Sequence, residues 1–141
     1  MNKTPFLLLL AFAFTACQDH NTPNPNIVRL TATLNSAQEV PTNSSTATGA
    51  FTGFLNKTTR VLTYVVTYTG LTPTGGHLHK GAPGVNGPVD IHFPSLMSPI
   101  NGTATLTQSK ADSMIAGLYY ANLHTAARPG GEIRGDIKVA P

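Results

Sequence analysis

Apolar and polar residues alternate along most of this chain. In residues 27–34, Leu30, Ala32 and Leu34 fall on one side and Arg29, Thr31 and Thr33 on the other, the period-two signature of a strand with one buried face. Residues 50–55 (AFTGFL) predict a second strand, and Asn56-Lys57-Thr58-Thr59 then turns the chain into residues 60–69. That third stretch, RVLTYVVTYT, is dense in β-branched and aromatic residues. With apolar groups on both faces, it predicts a central strand hairpinned to the second. Further short strands are predicted at 77–79, 89–93, 100–106, 118–124 and 132–139. One segment breaks the alternation. In residues 109–116, Ala111, Met114 and Ile115 recur at helical spacing, with Ser109 as the expected cap and Gly117 as the stop. About eight short strands with one short helix predict an all-β antiparallel sandwich or partly open barrel.

Composition agrees with that class. Among 141 residues there are 13 Gly and 11 Pro, which favour turns, and only 11% are charged. This length suits one domain with its own core. The net charge of +3 comes from scattered basic residues, so no nucleic-acid partner is expected.

The first residues follow different rules. Lys3, an apolar run over 5–14 and small residues lead to Cys17, the only cysteine. This is the layout of a signal peptide over 1–16, too short to span a bilayer. The run Phe14-Thr15-Ala16-Cys17 resembles a bacterial lipobox, which implies acylation of Cys17 and a membrane anchor in the cell envelope. Residues 17–26 are then a flexible tether carrying His20, expected to have no role. Residues 27–141 form the single folded domain.

Candidate chemistry gathers on histidine. His77 and His79 sit on one face of a strand, about 6.5–7 Å apart, with Leu78 on the other. Two imidazoles leaning together across that gap can share a metal at about 2.0 Å from each nitrogen. His124 ends a strand on the same face as Asn122 and is the expected third ligand, and His92 is the fourth candidate. Imidazole nitrogens within about 4 Å of one another would mark copper or zinc. Gly81, Gly84 and Gly87, with Pro83 and Pro88, shape a loop between the pair and His92. No helix follows them, so they form no phosphate cradle. Glu39 is an acid among apolar neighbours, expected to be tied down by a hydrogen bond or salt bridge. Glu132, Arg134 and Asp136 share one strand face and are expected to form a solvated charge ladder.

Four stretches resemble the CHRD domain, the module named from chordin and found alone in many bacterial secreted proteins. They are LNSAQEVP (34–41), LTYVVTYTGL (62–71), GGHLHKGAPGVNGPV (75–89) and LTQSKADSMIAGLYYANLHTAARPGGEIRGDI (106–137). The resemblance implies an immunoglobulin-like or related Greek-key barrel and assigns no activity. A second resemblance concerns the histidines alone. HLH at 77–79, His92 and the strand-end His124 occur in the order of copper-site elements in copper/zinc superoxide dismutases. It implies His77, His79 and His124 as copper ligands and His92 as the metal-bridging position. No zinc set follows His92, one cysteine forbids the family disulfide, and Glu132 stands roughly where a catalytic arginine is expected. A carboxylate there would repel an anionic substrate.

Three functional readings follow. The first is a lipid-anchored, non-catalytic binding or structural module with a protein or small-ligand partner. The second is a copper- or zinc-binding protein using His77, His79 and His124. The third is a copper-dependent redox enzyme of dismutase type.

Overall fold

The computed structural model describes residues 24–141. The leader, Cys17 and His20 lie outside the described residues. Nine strands and one α-helix follow in order: β1 (Ile27–Asn35), β2 (Thr48–Asn56), β3 (Val61–Thr69), β4 (Gly75–Lys80), β5 (Val89–His92), β6 (Ile100–Thr105), α1 (Gln108–Ile115), β7 (Tyr119–His124), β8 (Ile133–Asp136) and β9 (Lys138–Val139). A single 3₁₀ turn, Ser36–Gln38, follows β1.

All strand pairs are antiparallel, in the spatial order β5-β4-β7-β8-β1-β2-β3-β6, with β9 added to β1. The result is all-β and barrel-like, nearly closed. Tyr64 of β3 stacks on Phe51 of the neighbouring β2 at 5.7 Å, and across the gap it meets Phe93, just past the end of β5, at 5.8 Å. The two halves of the sheet meet at a thin seam. β1 and β8 share one residue pair, Asn35 with Arg134, and β9 pairs with β1 only at Leu30 and Thr31.

The alternation predicted for β1 holds, and β2 shows the same burial pattern. Leu30, Leu34, Phe51 and Leu55 are fully buried in the common core with Leu62, Leu78, Leu123 and Ile133. The β2–β3 hairpin forms as expected. Asn56 Oδ1 accepts from the backbone N–H of Thr58 and Thr59 at 2.9 and 3.0 Å, and Arg60 takes φ +59°, a left-handed turn closed by an Asn side chain.

Three local expectations are corrected. β3 is not the two-faced central strand. It lies second from an edge, buries alternate residues and leaves Val65 exposed. The strands buried on both faces are β7 and β8, because loops 36–47 and 81–88 cover their outer side. The helix cap is Thr107, whose Oγ1 accepts from Lys110 N–H, and Ser109 lies inside the first turn. Gly117 ends the helix at φ +76°, as predicted. Finally, the charge ladder is not solvated. Arg134 is 0% exposed and Glu132 is buried. The shared face was read correctly, but alternation cannot reveal that a loop lies over it.

Candidate metal centre

Pairing of β4 with β7 sets Gly75 opposite His124, His77 opposite Asn122 and His79 opposite Tyr120. The inward residues of these strands, Leu78, Ala121 and Leu123, are fully buried in the core. The other face therefore carries His77, His79, Tyr120, Asn122 and His124 together. Leu78 enters the core between the two histidines, which leave the strand on its opposite face.

The three imidazoles converge. His77 Nδ1 lies 3.2 Å from His124 Nε2, and one ligand nitrogen from each of His77, His79 and His124 falls within 4.8 Å of the others. One separation thus meets the expected limit of about 4 Å, and the whole set is slightly wider. Tetrahedral ligands at about 2.05 Å stand roughly 3.3 Å apart, so closure needs about 1.5 Å of side-chain movement at most.

Hydrogen bonds fix which nitrogens face inward. His79 Nδ1 meets the Gly87 carbonyl at 3.0 Å and His124 Nδ1 meets the Pro129 carbonyl at 3.0 Å. A carbonyl only accepts, so both Nδ1 atoms carry the hydrogen and both Nε2 atoms keep a lone pair. Backbone-held imidazoles of this kind recur around bound metals. His79 Nε2 is buried and has no hydrogen-bond partner among the described residues. An unpartnered buried acceptor is costly, and a metal ion would satisfy it.

Electrostatics favours neutral rings. Burial, then the neighbouring His124, His79 and His92, lower the His77 pKa to about 4. Burial also lowers His79 and His124, against the opposing pull of the Gly87 and Pro129 carbonyls. These shifts favour the neutral form of each ring, the form that can ligate a metal.

The CHRD domain family model matches residues 30–137. The chain belongs to the CHRD domain family. No curated protein and no solved structure shows a match.

In this CHRD domain His92 stands at the rim of the cluster. It pairs with His77 across β4 and β5 and meets that ring edge-on at 4.8 Å, but it is exposed and its nitrogens lie outside the three-nitrogen group. Glu39 lies elsewhere in the same polar layer. Its Oε1 accepts from Asn122 Nδ2 at 2.7 Å, and burial raises its pKa against that bond and the Arg134 charge. Gly131, at φ +135°, leaves the space its carboxylate occupies. Glu132 is held by Ser45 at 2.6 Å and Thr125 at 2.5 Å, and those two bonds lower its pKa.

Several neighbours were not assigned a part in the site from sequence: Tyr120, Asn122, Gly87 and Pro129. The alternation of Tyr120, Asn122 and His124 along 118–124 held the signal for two of them. Gly87 and Pro129 act through backbone carbonyls, which side-chain patterns do not encode.

Proposed function

We propose that this CHRD domain is a metal-binding module of the bacterial cell envelope, tethered by a lipid on Cys17. His77 Nδ1, His79 Nε2 and His124 Nε2 would hold copper or zinc. The observation that carries the reading is the buried, unpartnered Nε2 of His79 beside two convergent imidazoles. Three neutral imidazoles without thiolate suit Cu(II) or Zn(II). The lipid anchor rests on the sequence around Cys17, and the role is binding rather than turnover.

Calorimetric titration with Cu(II) and Zn(II), beside a His77→Ala/His79→Ala variant, tests the site. One equivalent bound by the wild type and none by the variant is expected; equal binding sinks the proposal. Superoxide turnover by the copper-loaded protein above free-metal controls would replace a binding role with a redox one. Labelled fatty acid retained on the wild type and lost from Cys17→Ser tests the anchor.

A further inference from the structure

Arg134, fully buried, reaches the site through a stack. Its Cζ lies 3.5 Å from the Tyr120 ring centroid, and Tyr120 lies parallel to His79, 4.8 Å between centroids with 4° between planes. The guanidinium also ties down the loop that follows β4. It donates to Ala82 O at 3.3 Å, Asn86 Oδ1 at 3.4 Å and Asp136 Oδ1 at 3.1 Å. At the far end of that loop, Tyr120 Oη accepts the Gly87 N–H at 3.0 Å. The Gly87 carbonyl is then the acceptor that His79 Nδ1–H meets. A side chain at position 87 would strike the Lys80 carbonyl, so only glycine lets this carbonyl come so close.

We infer that Arg134 and Tyr120 are positioning residues that fix the tautomer of His79, holding the Gly87 carbonyl on Nδ1 so that Nε2 alone is presented to a metal. Each contact has one task. The stack sets the ring plane, the guanidinium pins the loop, and the tyrosine hydroxyl orients the last peptide. The metal consequence rests on the proposed three-histidine site; the tautomer does not.

Tyr120→Phe keeps the ring stack and removes the hold on Gly87. Arg134→Lys keeps a charge but loses the planar fork. In metal-free protein, ¹⁵N NMR of the imidazoles reads the His79 tautomer, and thermal unfolding confirms that each variant is folded. Wild type should be Nδ1–H throughout. Tyr120→Phe should give a mixture of tautomers and weaken Zn(II) binding about tenfold, the scale of lost second-layer support. His79 remaining wholly Nδ1–H in Tyr120→Phe overturns the inference, whether or not Arg134→Lys folds. A mixed tautomer in the variant, with no metal bound even by wild type, upholds the positioning role and removes only the metal site.

Discussion

His77 Nδ1 and His124 Nε2 face each other at 3.2 Å although 47 positions separate them in the chain. Because His124 spends its Nδ1–H on the Pro129 carbonyl, its Nε2 can only accept. The hydrogen between the two rings therefore belongs to His77 Nδ1. A metal taking that nitrogen must displace the hydrogen to His77 Nε2. Imidazole ¹⁵N spectra should show Nδ1–H for His77 in the metal-free protein and Nε2–H after Zn(II) is added. A bound metal with the tautomer unchanged would remove Nδ1 of His77 as a ligand.

His92 and His124 are separated by the same geometry. His124→Ala deletes one of three convergent nitrogens and should weaken Zn(II) binding by about two orders of magnitude. His92→Ala removes an exposed ring outside the group and should change it by no more than about threefold. Competition against a chromophoric chelator distinguishes them, and an equal loss in both would make His92 a ligand.

Protonation should loosen the metal-free fold. An unfolded histidine takes up its proton near pH 6.5, but His77 in the fold does so near pH 4. Between those values the unfolded chain holds more protons, so stability contributed by the cluster is complete above about pH 6.5 and falls as pH drops toward 4. Burial of His79 and His124 acts in the same direction, whereas Glu39, raised by burial, opposes it. Urea midpoints measured with chelator at pH 7.5 and 5 should therefore differ more for wild type than for His77→Ala. Parallel behaviour of the two proteins would show that His77 does not carry the effect.

The two faces of β4 should be separable. Leu78 is fully buried in the core between His77 and His79. Leu78→Ala should cost about 2–5 kcal/mol of stability, the range for a buried leucine, while Zn(II) affinity of the folded fraction stays within about threefold. Denaturant unfolding and metal titration of the same sample decide this.

Gly131→Ala combines two penalties. The residue would keep φ +135°, and its Cβ would fall 2.6 Å from Glu39 Oε2. A loss of about 1–3 kcal/mol is expected, read by thermal unfolding. Pairing it with Glu39→Ala should recover part of the loss, because the two nearest clashing atoms go while Asn122 Oδ1 at 2.9 Å stays.

Much of this was written in the chain. The alternation of β1 placed Leu30, Ala32 and Leu34 on one face, and the HLH spacing placed His77 and His79 on one face. His124 followed from its place at the end of a strand beside Asn122. The layer behind the histidines was not legible in the same way. Arg134 and Glu132 were expected in solvent because a strand face has no mark showing that a loop will lie across it. Hydrogen bonds from Gln38, Asn43, Ser45 and Asn86 bind those loops down, and such bonds depend on tertiary meeting rather than on period. β3 misled for a related reason: its β-branched residues favour any strand, inner or outer.

The seam between β1 and β8 has a mechanical meaning. With a single ladder pair there, much of the bonding between the halves falls to side chains of the segment that leaves β1. Ser45 and Asn43 grip Glu132, Glu39 holds Asn122, and Gln38 Oε1 takes the Asp136 N–H. Backbone ladders survive almost any substitution, whereas a weld made of hydroxyls and amides can be undone one residue at a time. The two halves of the barrel are therefore joined partly by short ladders to β8 and β9 and partly by side chains that single substitutions can remove. The histidines sit on β4 and β7, in the half that this weld joins to β1, and Asn122, which Glu39 holds, stands directly opposite His77.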